Sequence, residues 1–385
     1  MSLIKWIRQE HRWLLSLGIL IASLTAVCPQ ALPEEARDPA KEALERRQKV
    51  EIMSFFSKDP AQAMMPQTTL AIGLYNQAVE HMRKSEYTLA RQALKESLVH
   101  DAENVFAYEL LGDIDYLEQK LADAKENYQI AYNLAPSKSL SGKIEKLRSE
   151  ASVEKKLSTY REQHFIIKYH NEERNIEGFA LRELLRKTYL QISKDFAFYF
   201  KHQVVVLLYD EEDFKKVTNM PHWVGGLYDG KVRMPINRKG FSDRDLEALT
   251  AHEVTHAFVS AMSAGMAPAW INEGLAEYEE NKIQSSGNLM FRSAVKTGKL
   301  FSLDQLMGQG AAASLQDPVL IGLFYEQSHE LVKYMVDRYG MFRIKQVLGE
   351  FAKGKNSDEA LREVLHISPV RLEKEWADTF PKKSR

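Results

Sequence analysis

Two histidines four residues apart, with a glutamate between them, are the residues of this sequence best suited to chemistry. They are His252 and His256, with Glu253 in the segment His-Glu-Val-Thr-His. The segment lies in a stretch of helical apolar spacing that opens near Ser242, so both imidazoles face the same way, with Cβ atoms about 5 to 6 Å apart. Both can reach one tetrahedral zinc ion at roughly 2.0 to 2.1 Å. Glu253 can approach a water on that ion without binding the ion itself.

A third ligand is predicted on a second helix. Glu273 follows in a segment that Pro268 can open as a helix. Two histidines and one carboxylate leave the fourth position of zinc to water, which is the ligand arrangement of a catalytic rather than a structural site. Glu277 lies one helical turn further on. We expect Glu277 to accept the free N–H of a ligand histidine and so to fix the orientation of that ring.

These two segments resemble a known family. His252–His256, followed by Trp270–Tyr278 with the sequence Trp-Ile-Asn-Glu-Gly-Leu-Ala-Glu-Tyr, is similar to the gluzincin metallopeptidases, and among them to the bacterial peptidase MA-like domains of thermolysin type. The resemblance covers about residues 160 to 380. It also includes Gly225-Gly226-Leu227-Tyr228, Ser302-Leu303-Asp304-Gln305-Leu306, and Tyr325-Glu326-Gln327-Ser328 leading to Tyr339-Gly340.

The resemblance implies a fold and a set of roles. The fold is an α+β zincin-like domain, with a small mixed sheet and active-site helices. By that resemblance His252, His256 and Glu273 bind zinc. Glu253 is then the general base, and the strand near 231–236 borders the substrate cleft. An N-terminal array of helical repeats is also familiar on such domains.

Peptide hydrolysis by such a site also requires a donor for the oxyanion. Negative charge builds on the carbonyl oxygen in the transition state, and removing one donor to it costs other enzymes roughly 10² to 10³ in turnover. Tyr325 and His329 are four residues apart on a predicted helix after Pro318 and share a face. Both are candidates for this role. The alternatives are core packing for Tyr325, which resembles a family position, and a solvated surface position for His329.

The elements around these residues are mixed helix and strand up to about residue 240 and helical afterwards. Apolar runs and helical spacing predict, in order, strands at 165–169 and 204–209, a helix at 175–197, and strands at 224–228 and 231–236. Asp229-Gly230 between the last two strands suits a tight hairpin turn. Asp317-Pro318 and Ser368-Pro369 are predicted helix starts, and Gly340 is a predicted helix end.

Residues 69–156 carry an internal repeat. Ala78, Ala90, Leu94, Ser97 and Ala102 return 34 positions later as Gly112, Ala124, Tyr128, Ala131 and Pro136. A period of 34 with small residues at these places resembles tetratricopeptide repeats, which are paired helices. Two repeats are fewer than the roughly three that an independent array needs, so a helix near 139–156 is predicted to cap them. The segment is either a groove for a peptide or protein partner or a packing module for the next domain.

The first 28 residues are predicted to be an export signal. Lys5, Arg8 and Arg12 precede an uncharged stretch from Trp13 to Val27, shorter than the roughly twenty residues of a membrane span. We therefore expect an exported protein, periplasmic or extracellular, with a retained membrane anchor, lipidation or a buried N-terminal helix as alternatives. Residues 29–68 have few apolar residues and are predicted to be a linker, which leaves 157–385 as the peptidase domain.

Composition excludes other functions. The net charge is -1 and the pI about 6.9, so no excess of positive charge favours nucleic acid as a partner. The single cysteine excludes an internal disulfide and a zinc site of several cysteines. The sequence thus predicts a zinc metallopeptidase acting on a peptide or protein substrate, and an endopeptidase rather than an aminopeptidase because 219–236 contains no glutamate to hold a substrate amine. The alternative is an exported tetratricopeptide scaffold whose zinc domain is structural or inactive.

Overall fold

The computed structural model describes residues 67–170, 175–218, 226–235, 242–285, 287–308, 315 and 317–380. Within them the chain divides into two compact units, one ending at Leu157 and the other beginning at Ser158. The predicted export signal lies outside the described residues, as does nearly all of the predicted linker. Among the described helices, none has both the length and the apolar character needed to cross a membrane.

The first unit is built from helices alone. They are α1 (Gln67–Arg83), α2 (Tyr87–His100), α3 (Val105–Leu117), α4 (Leu121–Leu134) and α5 (Lys138–Glu154). Helix α1 packs along α2, α3 packs along α4, and α5 packs on α4. The small repeat residues Ala78, Ala90, Ala124 and Ala131 are all fully buried between these helices, because close helix packing leaves no room for longer side chains there. The paired helices and the following α5 are those that the repeat predicts, while membership of the tetratricopeptide family stays a prediction.

The second unit contains one mixed sheet of five strands. They are β1 (Leu157–Arg161), β2 (Phe165–His170), β3 (Val204–Tyr209), β4 (Leu227–Tyr228) and β5 (Val232–Pro235), in the spatial order β1-β2-β3-β5-β4. Strand β3 is parallel to β2 and to β5, whereas β4 and β5 form an antiparallel hairpin. All six residues of β3 are buried, as expected for a central strand covered on both faces.

Ten helices accompany this sheet among the described residues. They are α6 (Asn175–Phe196), α7 (Glu211–Thr218), α8 (Asp243–Ser263), α9 (Ala269–Asn281), α10 (Leu289–Thr297), α11 (Leu303–Met307), α12 (Pro318–Tyr339), α13 (Met341–Ala352), α14 (Ser357–Leu365) and α15 (Pro369–Ala377). The predicted helix starts are confirmed, since Asp317 and Ser368 cap α12 and α15 through their side chains. Gly340 ends α12 at φ 81°, as predicted. A helix-rich unit with a small mixed sheet is the α+β arrangement that the sequence predicts for this part of the chain.

Helix α8 lies at the centre of this unit. It contacts β4 and β5 on one side and α6, α9 and α13 on others. Every residue from Ala248 to Val259 is buried, and most of them are apolar or small, as expected for a helix that protein surrounds on most of its circumference. Its neighbour α9 packs in turn along α12. Two successive helices, α8 and α9, therefore carry the predicted metal ligands and Glu253 into the interior.

Candidate metal centre

Contacts near the two ends of α8 fix the rotation of this helix and hence the direction of its histidines. Ser242 caps its first turn and forms a reciprocal capping box with Asp245. Phe258 packs its ring against Phe200 at a centroid distance of 4.7 Å. With both ends held, His252 and His256 lie on one buried face, their ring centroids 4.8 Å apart and their planes nearly perpendicular. The local spacing of the sequence predicted this shared face.

Helix α9 brings a carboxylate to the two rings. The Oε2 atom of Glu273 lies 3.8 Å from Nε2 of His252 and 3.7 Å from Nε2 of His256. A tetrahedral ion about 2.1 Å from each ligand would separate ligand atoms by about 3.4 Å, so these distances are within a few tenths of an ångström of that arrangement. The three side chains, all buried, form a group that could hold a metal ion.

The unsatisfied atoms of this group fit a cation. Among the described residues, Nε2 of His256 and both carboxylate oxygens of Glu273 are buried without a hydrogen-bond partner, and so is Oε2 of Glu253. Buried polar atoms nearly always have partners, because an unmade bond costs about 1 to 3 kcal/mol. Nitrogen and oxygen donors of this kind suit zinc. The residues present therefore fit a zinc ion.

The other ring nitrogens have partners that orient the imidazoles. Nδ1 of His252 lies 3.0 Å from Oε2 of Glu280, and Nδ1 of His256 lies 3.1 Å from Oδ1 of Asn272. Because both partners accept, each Nδ1 carries the proton and each Nε2 presents its lone pair. The structure thus places Glu280 where the sequence led us to expect Glu277.

Glu277 nevertheless lies close by. One ligand atom each of His252, Glu277 and Glu280 lie within 4.8 Å of one another, and all three residues are buried. Asn281 donates to a carboxylate oxygen of Glu277 at 3.4 Å. Residues 273, 277 and 280 follow the i, i+4, i+7 spacing of one helix face. This spacing places Glu280 one turn beyond Glu277 on the same acidic face, so the sequence offers Glu280 as a second candidate beside Glu277.

Burial controls the protonation of the site. It lowers the pKa of both His252 and His256 to about 3, which keeps their imidazoles neutral, as metal binding requires. Burial and the neighbouring Glu277 raise the pKa of Glu273 to about 8. Burial, Glu273 and Glu280 raise the pKa of Glu253 well above its ordinary value. Buried carboxyl groups this close oppose each other's ionisation, and a divalent cation would favour their charged forms.

Two glycines allow the surrounding elements to approach the site. A Cβ atom on Gly226 would lie 2.6 Å from Cγ, Cδ and Oε1 of Glu253, so the backbone just before β4 lies directly against that carboxylate. A Cβ on Gly274 would lie 2.6 Å from the backbone oxygen of Ser328, so α9 packs backbone to backbone on α12 beside Glu273. Neither contact tolerates a side chain without movement.

The two predicted oxyanion donors lie on α12. Tyr325 is 2% exposed and belongs to the hydrophobic core, with its ring centroid 6.3 Å from that of Phe324. Nδ1 of His329 lies 3.9 Å from Oε1 of Glu330, and burial lowers the pKa of the His329 imidazole. Among the described residues, His329 is not part of the group of His and Glu side chains that could hold a metal ion. Their role as donors stays a prediction.

Comparison with known proteins agrees with this geometry. Residues 197–381 match the family model described as the Peptidase MA superfamily. No curated protein matches the chain. The matched residues include β3, the β4–β5 hairpin, α8 and α9, and hence every residue of the metal group. The superfamily is typically metal-dependent, and the match together with the His and Glu cluster supports a gluzincin-like metallopeptidase domain in residues 197–381.

Proposed function

We propose that this domain hydrolyses peptide bonds with a zinc ion held by His252, His256 and Glu273. The observation that carries the proposal is the convergence of Glu273 on both imidazoles, at 3.7 and 3.8 Å, with its two oxygens buried and without hydrogen-bond partners among the described residues. Glu253 has a buried carboxylate and directly follows the proposed ligand His252 on α8.

Bound zinc supplies Lewis acidity for the scissile carbonyl and lowers the pKa of water towards 7. Glu253 accepts the proton of the attacking water and delivers it to the leaving amine. Burial suits Glu253 to this work, because a carboxylate removed from bulk water is a stronger base than one in water. Asn272 and Glu280 hold the two imidazoles through Nδ1, which leaves Nε2 of each to bind the metal.

The test compares wild type with Glu253→Gln, measuring bound zinc and cleavage of unfolded casein. We expect both proteins to retain zinc and the variant to lose about 10² to 10⁴ in cleavage rate, the usual contribution of a general base. Glu247→Gln is the matched control, because Glu247 lies on the same helix and pairs with Lys187 at 2.6 Å on the surface. Its activity should equal that of wild type.

Two outcomes would contradict the proposal. Equal cleavage by wild type and Glu253→Gln would remove Glu253 from the mechanism. Absence of zinc from the wild-type protein would remove the metal site and favour the alternative of an exported scaffold with a silent domain. The carboxylate of Glu253 is buried, and its Oε2 has no hydrogen-bond partner among the described residues. Burying a carboxylate in this way costs free energy, and a purely structural metal site does not need it, so its presence supports an active enzyme.

The proposal includes endopeptidase rather than aminopeptidase specificity. Aminopeptidases need an acidic group free to bind the substrate amine. Asp229 is the acidic residue of the β4–β5 hairpin, and its carboxylate is bound to Arg233 at 3.0 and 3.1 Å. A protein substrate cleaved at internal bonds is therefore the one we propose, and blocked peptides should be cleaved as well as free ones.

We further propose that the helical unit 69–156 binds a peptide or protein partner as tetratricopeptide repeats do. Its support is the repeat itself and the two packed helix pairs that carry it. Export to the periplasm or the cell exterior, with or without membrane attachment, is proposed on the composition of residues 1–28. Fractionation of the expressing cells tests the location, and pull-down by the full chain tests the partner.

A further inference from the structure

The β4–β5 hairpin has two faces with different contacts. Val232 and Met234 of β5 belong to the hydrophobic core, and Oγ1 of Thr250 on α8 lies 3.9 Å from Sδ of Met234. Side chains alternate along a strand, so Arg233 projects from the opposite face of the sheet. In the hairpin register Arg233 lies directly across from Leu227, the first residue of β4.

Arg233 is a buried cation that joins three parts of the sheet. Its Nε donates to both carboxylate oxygens of Asp229, at 3.0 and 3.1 Å, in the turn between β4 and β5. One of its terminal nitrogens donates to the hydroxyl of Tyr209 at 2.9 Å, at the end of the neighbouring strand β3. The side chains of Arg233 and Asp229 are only 1% and 2% exposed. One planar guanidinium thus ties the hairpin turn to β3 with fixed geometry.

The strand opposite Arg233 leads directly to the proposed general base. Gly226 precedes Leu227, and its backbone lies so close to Glu253 that an added Cβ would come within 2.6 Å of the carboxylate. Any shift of β4 relative to β3 therefore moves the backbone that packs against this carboxylate. A buried ion pair can hold two elements in register, but it costs free energy that an apolar pair of similar size does not. Its presence in this hairpin therefore indicates that it positions the elements it joins.

We propose that Arg233, together with Asp229 and Tyr209, is a positioning residue that holds Gly226 against Glu253. This inference rests on the proposed function, because it assigns Glu253 the role of base. Its physical basis is the sensitivity of proton transfer to geometry, since a misplacement of about 1 Å can cost about 10²-fold in rate. We call these three residues the clamp, and none of them is a proposed ligand of the metal.

Tyr209→Phe is the variant that tests the clamp. Replacing Arg233 would leave Asp229 buried without its cation and risk unfolding, whereas Tyr209→Phe removes one hydroxyl and keeps the ion pair. We expect kcat to fall about tenfold with KM changed less than about twofold, because the general base and not substrate binding is displaced. Zinc content should not change. In the metal-free protein, amide hydrogen exchange at 226–235 should become faster.

Tyr189→Phe is the matched control. Tyr189 is also fully buried, and its hydroxyl accepts a hydrogen bond from the backbone of Phe200 at 3.2 Å, on the α6 side of α8 and away from the hairpin. This variant should lose similar thermal stability but retain wild-type kcat and wild-type exchange at 226–235. A kcat loss common to both variants would mean that general destabilisation, and not the clamp, is responsible.

A double variant tests whether the clamp acts through Gly226. Gly226→Ala places a methyl group against Glu253, so it should lower kcat by itself. If Arg233 acts through this contact, Tyr209→Phe should lower kcat by a clearly smaller factor in the Gly226→Ala variant than in the wild type, because coupled sites are not additive. If the fold losses in kcat of the two single variants simply multiply in the double variant, the inference is overturned.

The outcomes separate this inference from the proposed function. Wild-type protein that binds zinc and cleaves casein, beside a Tyr209→Phe variant with unchanged kcat and unchanged exchange, overturns the clamp alone. Wild-type protein without cleavage refutes the proposed function and with it the role of the clamp in catalysis.

Discussion

Glu280 offers the sharpest test of how the metal site is built. Its Oε2 lies 3.0 Å from Nδ1 of His252, and both side chains are almost completely buried, at 2% and 1% exposure. Water therefore cannot easily replace the bond when the carboxylate is removed. A hydrogen bond to a charged group contributes about 1.5 to 3 kcal/mol. Loss of such a partner of a zinc-bound histidine typically costs 10- to 100-fold in affinity or activity, which corresponds to about 1.4 to 2.7 kcal/mol.

We expect Glu280→Gln to weaken zinc binding about tenfold and Glu280→Ala about 100-fold. Glutamine keeps the shape and can still accept from Nδ1, but it lacks the charge that strengthens the bond. The assay is competition for zinc against a chelating dye, at a fixed pH near 7.5. The activity of each variant at saturating zinc then shows how much of the loss is recovered when the site is filled.

Glu277→Gln is the control, since Glu277 is also a buried glutamate on α9, one turn before Glu280. If Glu280 orients His252, the Glu277 variant should weaken zinc binding clearly less than either Glu280 variant. The opposite order of affinities would refute the reading of the structure and restore Glu277 as the orienting carboxylate, as the sequence predicted. Melting temperatures of the metal-free variants, measured in parallel, exclude differences that arise from unfolding.

Three further outcomes follow from the same contacts. In the metal-free protein the free energy of unfolding should fall as pH rises from about 6.5 to 8. Above pH 6.5 the histidines of the unfolded chain lose their remaining protons, so they offset the effect of Glu273 less and less, whereas the folded protein keeps a proton on Glu273 that the unfolded chain has lost, since its pKa is about 8 against 4.5. Glu273→Gln should make the fall of stability with pH shallower in thermal melts, and a slope equal to that of wild type would argue against the role of Glu273. Gly274→Ala should destabilise the protein by about 1 to 3 kcal/mol, since its methyl group meets the α12 backbone, while Gly349→Ala, which meets nothing within 4 Å, should be neutral or stabilising in denaturant titrations. Asn272→Ala should weaken zinc binding about tenfold because Nδ1 of His256 loses its acceptor, and unchanged affinity would show that the ring is held by packing alone.

The sequence by itself determined the local features of this protein. His252 and His256 share a face because helix geometry alone relates residues four apart, and Ser242 begins that helix through its own side chain. Asp317, Pro318 and Gly340 mark the ends of α12 for equally local reasons, namely a side-chain cap, a fixed φ and a positive φ. Such features need no partner distant in the chain, so periodicity and end signals were sufficient to predict them.

The tertiary structure decided which side chains meet. Only the packing of α9 on α8 brings Glu273 to the two imidazoles, and only the exact rotation of α9 selects Glu280 over Glu277 as the partner of His252. Glu277 and Glu280 lie on the same face of α9, so helix spacing alone does not choose between them.

The close approach of Gly226 to Glu253 likewise depends on where β4 and β5 lie on α8. Arg233 is an equally clear case, because a lone arginine in a strand carries no sequence signal that it will be buried between a turn and a neighbouring strand. These contacts join residues far apart in the chain, and their geometry is set by the packing of the whole core, which no local pattern of residues contains.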